Sequence, residues 1–181
     1  MAIYLTSDTH FSHHNILEYC KNTRPYKSIE HMNEVMINQW NQIVQPTDIV
    51  YHLGDVGFGS VEDLVKIMNR LNGGKILIKG NHDLRYLKNQ QFCECFEEIH
   101  NYHEIKFHKM KIVLFHYPIK AFHGQDYGAI HCHGHLHTTP SGLEQFRIRN
   151  VGVDYTRKIV SLLEDIIEDA VVGEIKRHHN D

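Results

Sequence analysis

One short segment limits most strongly what this chain can fold into. Ile49–Asp55 begins with a β-branched and apolar run, is entered from Pro46-Thr47-Asp48 and turns at Gly54. Such a segment predicts an interior strand of an α/β sheet. Because the loops after strands build the sites of these sheets, Asp55 is the candidate central ligand. A single aspartate at a strand end has an ordinary alternative, which is to cap a loop.

The same arrangement recurs at four other places. Strands are predicted at Ala2–Ser7, Lys75–Lys79, Lys109–Phe115 and Ala129–His133. The polar residues that follow them are, in turn, Asp8 and His10; Asn81, His82 and Asp83; His116; and His135 and His137. Residues two apart in an extended chain point the same way, so paired ligands can converge on one object. Five coincidences of this kind predict one shared site.

The other elements follow from periodicity and capping signals. The pattern predicts helices at Asn15–Tyr19, at Ile29–Val44 after the capping residue Ser28, from the capping box Ser60–Asp63 to Leu71, and from a second capping box at Ser161–Glu164. It predicts one strand over Ile99–Phe107, which turns at His108-Lys109 into the next strand, and a last strand over Phe146–Val153. Lys176–Asp181 is interpreted as a polar tail.

Length and composition limit the class of protein. A chain of 181 residues is enough for one domain, residues 1–181, and too short for two ordinary ones. A net charge of -3 offers no general attraction to nucleic acid or to a membrane. The chain shows no signal-peptide pattern and no apolar run of membrane-spanning length, so we expect a cytoplasmic protein. Its four cysteines lack C-x-x-C spacing, which favours reduced thiols over disulfides or a zinc knuckle.

The polar groups at the strand ends are typical metal ligands. They are carboxylates, imidazoles and a carboxamide without a thiolate, which suits Mn, Fe, Co, Ni or Zn. Two ions explain the number of groups better than one. Asp8, His10, Asp55 and His137 could complete one ion, and Asp55, Asn81, His116 and His135 the other, with Asp55 bridging.

In this order the motifs resemble those of the calcineurin-like metallophosphoesterases. The resemblance rests on Asp8-Thr9-His10, Gly54-Asp55, Gly80-Asn81-His82-Asp83, His116, Gly134-His135-Leu136-His137 and Asn150-Val151-Gly152. It implies an α/β fold in which two mixed β-sheets pack together and are flanked by helices. It also implies the binuclear ligand sets given above, with Mn as the favoured metal.

The resemblance further implies an enzyme that hydrolyses phosphomonoesters or phosphodiesters through a hydroxide shared by the two metals. His82 resembles the catalytic histidine of the family, which stabilises charge or protonates the leaving oxygen, and Asp83 would orient its ring. His13, Arg24 and Arg85 are candidate substrate contacts by position or charge. A solvated surface position or a helix start is the ordinary alternative for each of these three.

The nature of the substrate stays open. A small phosphoester is favoured, with nucleotides among the candidates. A nuclease of the same family is less favoured, because the chain shows no Lys/Arg cluster with interleaved aromatic residues. A non-catalytic metal-binding scaffold would be expected to have lost ligands or the catalytic histidine, and neither loss is seen. The sequence does not indicate the oligomeric state.

Overall fold

Two mixed β-sheets form the centre of the fold in a computed structural model that describes residues 1–175. The predicted tail Lys176–Asp181 lies outside the described residues. The strands are Ile3–Thr6 (β1), Ile49–His52 (β2), Gly74–Ile78 (β3), Glu98–His100 (β4), His103–Phe107 (β5), Met110–Leu114 (β6), Ile130–His133 (β7), Ile148–Asn150 (β8) and Ser161–Leu162 (β9). The α-helices are Ile16–Tyr19 (α1), Ile29–Ile43 (α2), Val61–Met68 (α3), Gln90–Cys93 (α4), Val153–Thr156 (α5) and Leu163–Val171 (α6).

Each sheet combines parallel and antiparallel pairs. The first has the order β4-β3-β2-β1-β9, in which β9 alone runs antiparallel to its neighbour. The second has the order β5-β6-β7-β8, in which β5 and β6 form an antiparallel hairpin and the other pairs are parallel. This architecture confirms the predicted fold class.

The segment that opens the sequence analysis forms the middle of the first sheet. In β2, Ile49 pairs with Ile3 on one side and with Gly74 on the other. The crossover from β2 through α3 to β3 is parallel, as predicted. The carboxyl ends of β1, β2 and β3 therefore lie at one edge of the sheet, and the polar loops that follow them begin side by side.

Apolar side chains cover both faces of the first sheet. On one face, buried residues of α2 and α3, among them Trp40 and Leu64, pack against Val50 and Leu77. On the other face, a second cluster joins residues of both sheets with α6. This cluster contains Leu5, Leu53, Ile76, Ile78, Ile112, Leu114, Ile130, Cys132, Val151, Leu163, Ile166 and Ala170. Burial of this area removes apolar surface from water and so holds the two sheets together.

The strand predicted over Ile99–Phe107 is wrong as a single element. The chain bends at the exposed residues Asn101 and Tyr102, and the two halves belong to different sheets: β4 pairs with β3, and β5 pairs with β6. A period-two pattern reports that a residue is extended but not which partner it pairs with. The hairpin turn predicted at His108-Lys109 is confirmed, because Phe107 pairs with Met110.

Two other predicted elements are replaced in part by elements of a different kind. Ser161 does not open a helix; it pairs with Leu5 in β9, and α6 begins at Leu163 without a side-chain cap. Pairing with β1 gives hydrogen-bond partners to the backbone of Ser161 and Leu162, which the capping pattern had assigned to a helix. The predicted strand Phe146–Val153 is shortened to β8, because Val153 begins α5.

The two helix caps predicted at serine residues are confirmed. The hydroxyls of Ser28 and Ser60 accept hydrogen bonds from backbone N–H groups as helix N-caps. The four cysteines are free. In residues 1–175, no helix combines the length and the apolar character needed to cross a bilayer.

The contrast between the two serine patterns gives a test. The Ser60 hydroxyl accepts a hydrogen bond of 3.1 Å from the N–H of Asp63, so Ser60→Ala should lower the free energy of unfolding by about 1 kcal/mol. The matched variant Ser161→Ala removes no cap and should cost clearly less. Denaturant unfolding of both variants measures the difference, and an equal or larger loss in Ser161→Ala would contradict the strand assignment.

Candidate metal centre

The five predicted strand ends meet at one place. Their side chains form two groups of three. Within each group, every side chain offers one potential ligand atom, and these atoms lie within 4.8 Å of one another. The groups are Asp8, His10 and His137, and Asp55, His116 and His135. Asn81 adjoins the second group, because its Oδ1 lies 3.1 Å from Nε2 of His116. The structure thus brings together the seven residues that the sequence assigns to metal binding.

Asp55 lies between the two groups. Its Oδ2 is 3.8 Å from Nε2 of His10 in one group and 3.6 Å from Nε2 of His116 in the other. Its Oδ1 accepts a hydrogen bond of 2.9 Å from the backbone N–H of His82. One carboxylate therefore faces both groups, which is the position that a bridging ligand requires.

The electrostatics of the centre fit a cation. Burial raises the pKa of Asp8 to about 7, and burial also raises the pKa of Asp55. Burial lowers the pKa of His10 well below its usual value, which favours the neutral ring. Its Nε2 is buried and lacks a hydrogen-bond partner within the described part of the chain. A divalent ion would compensate the two carboxylates and accept this nitrogen lone pair.

The sequence analysis did not find Asp154, which fixes the ring of His137. Asp154 is buried, and its Oδ2 lies 2.7 Å from Nδ1 of His137. Burial opposes the charged form of His137, but the hydrogen bonds to Asp154 and Cys20 outweigh it and raise the pKa to about 10. Because Nδ1 is engaged, Nε2 is the ring nitrogen left to ligate a metal. The only sequence signal was that Asp154 closely follows the Asn150-Val151-Gly152 motif.

The structure contradicts the prediction that Arg24 contacts substrate. Its side chain is only 2% exposed and forms an ion pair with Asp154. Its remaining guanidinium N–H groups donate to the backbone oxygens of Asp8 (2.6 Å) and Thr9 (2.7 Å). The positive charge of Arg24 is thus paired inside the protein, where its side chain supports the loop that carries the candidate ligands Asp8 and His10. Charge type alone gave no information about this burial.

The predicted role of Asp83 also needs correction. Its carboxylate is buried and accepts backbone N–H bonds from Asp55 (2.9 Å), Val56 (2.9 Å) and Gly80 (2.8 Å). Three amide donors satisfy a buried carboxylate better than one imidazole can. Among the described residues, no hydrogen bond joins Asp83 to the His82 ring. Asp83 therefore holds together the loops after β2 and β3 and does not orient the catalytic candidate.

Most of the candidate ligands have an unusual backbone conformation. Five of them lie in the left-handed region with φ between 48° and 69°. They are Asp8, His10, Asp55, His135 and His137. Non-glycine residues rarely adopt this conformation, which costs energy and collects at functional sites. The backbone strain at these residues therefore lowers the stability of the fold, but it directs their side chains to one point.

Two glycines of the motifs allow the carboxylates to approach closely. A Cβ at Gly134 would lie 2.0 Å from Oγ of Ser7 and 2.4 Å from Oδ2 of Asp8. A Cβ at Gly80 would lie 2.3 Å from Oδ1 of Asp55. Any larger residue at either position would displace a candidate ligand.

At the mouth of the centre, three polar groups surround Phe58, another residue that the sequence analysis did not identify. His13 stacks on the Phe58 ring with centroids 3.9 Å apart, and the His82 ring lies 4.5 Å away. The Arg85 guanidinium lies 4.5 Å from the ring centroid. The His82 side chain is 44% exposed, and its Nε2 lies 3.9 Å from Oδ2 of Asp55. His82 thus faces both the centre and solvent, as a group that acts on substrate must.

Comparison with known proteins places these features in a family. A family model described as calcineurin-like phosphoesterase matches residues 1–180. An uncharacterized protein of Methanocaldococcus jannaschii is 37% identical over 137 residues, which cover 75% of this chain and 69% of that relative. The gene 66 protein of Mycobacterium phage L5 is 26% identical over 198 residues, which cover 93% of each chain. A solved structure of a protein of unknown function from Aquifex aeolicus matches with a TM-score of 0.74 at 26% identity, covering 92% of this chain and 98% of that one.

The corrected role of Asp83 predicts a loss of stability. Asp83→Asn replaces an acceptor oxygen by an NH₂ group that faces backbone N–H donors, so the free energy of unfolding should fall by about 2–3 kcal/mol. His82→Ala removes an exposed ring and should change it by no more than about 0.5 kcal/mol. Denaturant unfolding of the metal-free proteins measures both. Equal effects of the two changes would instead indicate that Asp83 acts through His82.

Proposed function

The chain belongs to the calcineurin-like phosphoesterase family, and from that premise we propose that it hydrolyses phosphoesters at a centre of two divalent metal ions. The observation that carries this proposal is the position of Asp55, whose Oδ2 lies within 3.8 Å of a histidine nitrogen of each ligand group. Two ions that share one carboxylate are the arrangement used in two-metal phosphoryl transfer.

The proposed ligands form two sets of four. Asp8, His10, Asp55 and His137 would hold one ion, and Asp55, Asn81, His116 and His135 the other. Nitrogen and oxygen donors of this kind suit Mn, Fe, Co, Ni or Zn, and Mn is the favoured choice. The two ions would supply Lewis acidity to the phosphoryl oxygens and lower the pKa of the attacking water toward neutrality.

The ligands are oriented by different partners. Nδ1 of His116 lies 2.7 Å from the backbone oxygen of Leu53, which directs Nε2 toward Asp55. Nδ1 of His137 faces the Asp154 carboxylate instead. Groups that fix the unligated nitrogen hold the ring in place and set its tautomer. Asp154 would thereby position His137 for the ion held by Asp8, His10, Asp55 and His137.

His82 is the proposed general acid. Its backbone N–H holds the bridging Asp55, while its ring lies outside both ligand groups at the exposed mouth. In this place the ring can give a proton to the leaving oxygen as the ester bond breaks. No side chain needs to attack phosphorus, because water is the nucleophile.

The proposed substrate is a small phosphoester, with nucleotides among the candidates. His13 and Arg85 border the mouth and are retained as proposed substrate contacts, whereas Arg24 is not. Nucleic acid is not favoured, because the net charge of -3 provides no attraction for a polyanion. A cytoplasmic location stays a prediction.

Activity should depend on two metal ions. After saturation with Mn and desalting, elemental analysis should find two ions per chain, and an aryl phosphomonoester or phosphodiester should be hydrolysed. A chelator should abolish turnover, and added Mn, Co, Ni or Zn should restore it. Binding of two ions without turnover of any ester in a broad panel would overturn the enzymatic proposal. A single ion per chain would overturn the bridged centre.

The roles of Asp55 and His82 should separate experimentally. Asp55→Asn removes the negative charge between the ions, so metal content and activity should fall together. His82→Ala should leave both ions bound and lower kcat by about 10²–10⁴-fold, the usual contribution of a positioned acid or base. The loss should shrink for esters with acidic leaving groups. Metal content and kcat are measured on the same preparations, and loss of an ion in His82→Ala would refute its role as an acid.

A further inference from the structure

The backbone of Arg85 is held in place directly beside His82, the proposed general acid. It ends the 3₁₀ turn Asp83–Arg85, which follows His82 in sequence. The turn is anchored by the buried Asp83 carboxylate, which accepts three backbone N–H bonds. The exposed Arg85 side chain therefore starts from a fixed point near the centre.

The guanidinium of Arg85 is held by contacts with two aromatic rings. Its Cζ lies 4.5 Å from the centroid of the Phe58 ring and 4.6 Å from that of Tyr86. Nη2 donates a hydrogen bond to the Tyr86 hydroxyl, which in turn donates to the backbone oxygen of Gly59 at 2.9 Å. Stacking and a neutral acceptor fix the plane of the guanidinium without neutralising its charge.

Within the described part of the chain, Arg85 has no acidic partner. Arg24, Arg70 and Arg149 each form an ion pair with a carboxylate. Among residues 1–175, Arg85 forms no such pair, and the Tyr86 hydroxyl is the acceptor that it contacts. A guanidinium carries five N–H donors, so most of its hydrogen-bonding capacity remains available at the surface. Planar pairs of N–H groups match carboxylate and phosphate oxygens.

The position of Arg85 relates it to one part of the substrate. The Phe58 ring contacts both the guanidinium of Arg85 and the ring of His82, whose centroid is 4.5 Å away. In the proposed reaction, the phosphorus is bound at the metal centre and His82 faces the leaving oxygen. Because Arg85 shares the Phe58 ring with His82, our proposal puts its guanidinium on the side of the leaving group.

We propose that Arg85 selects phosphoesters whose leaving group carries an anionic group of its own, either a carboxylate or a second phosphate. This inference rests on the proposed phosphoesterase activity. The guanidinium would pair with that second anion and orient the leaving oxygen toward His82. A protein with a net charge of -3 offers such an anion little general attraction, so a fixed local cation would provide the discrimination.

The test compares two esters that differ in the leaving group, phenyl phosphate and 4-carboxyphenyl phosphate. Arg85→Met keeps an apolar stem against Phe58 and removes the charge. It should lower kcat/KM for the carboxylated ester by about 10–100-fold, the effect of losing a charge-assisted hydrogen bond, and for phenyl phosphate by less than about 3-fold. Arg85→Lys should restore part of the preference, since it returns the charge without the planar donors.

Two controls make the result specific. Lys88→Met removes an exposed positive charge from the same segment and should leave the ratio of the two kcat/KM values within about 2-fold of the wild type. Each variant is judged by this ratio, so a partly inactive preparation does not alter the conclusion. Added salt should weaken the preference of the wild-type protein for the carboxylated ester.

The outcomes distinguish the two proposals. If Arg85→Met lowers kcat/KM equally for both esters, or for neither, the inference about Arg85 is overturned while the phosphoesterase proposal stands. If the metal-loaded wild-type protein hydrolyses neither ester nor any other in the panel, the phosphoesterase proposal fails, and the inference that rests on it fails too.

Discussion

The centre depends on one buried ion pair, between Arg24 and Asp154. The two side chains are 2% and 1% exposed, so neither charge is solvated by water. Such a pair is favourable only if its other hydrogen-bonding groups are also satisfied. Here they are, because Arg24 also donates to the backbone oxygens of Asp8 and Thr9, while Asp154 also accepts from His137 and Thr23. The pair thereby joins the loop after β1, the start of α5 and the loop after β7, and adds to the other contacts between these segments, such as the bridge between Ser7 and Gly152.

The buried carboxylates explain how the strained backbone of the centre is tolerated. A residue in the left-handed region costs about 1–3 kcal/mol, and such residues persist only when their surroundings fix them. Asp83 provides this support for Asp55, because it binds the N–H groups of Asp55 and Val56. For Asp8, the support comes from the Arg24 bond to its backbone oxygen and from the N–H of His135, which donates to its carboxylate. Residues outside the two candidate ligand sets thus determine where the candidate ligands point.

The order of the motifs, through their resemblance to a known family, predicted the fold of two packed mixed sheets. The candidate ligands could be predicted because they depend on residue type and on position after a strand. The roles of Arg24 and Asp83 depend on which distant backbone groups they meet, so a local pattern could not show them. Asp154 is separated from His137 by 17 positions, and only the tertiary structure brings the two together. The division of Ile99–Phe107 between two sheets has the same origin, because alternation of side chains does not identify the neighbouring strand.

That division also limits how the two sheets can move. From His100 at the end of β4 to His103 at the start of β5 there are three peptide units, which span at most about 11 Å when fully extended. Packed sheets lie about 10 Å apart. The link between β4 and β5 is therefore nearly as short as the distance that it has to span, and it restricts separation of the sheets at this edge. Near the candidate centre, a parallel β-bridge between Ser7 and Gly152 joins the end of β1 to the end of β8. Because the sheets are joined both by this link and by this bridge, their separation near the candidate centre is restricted, and we expect room for a larger substrate to come from the surrounding loops.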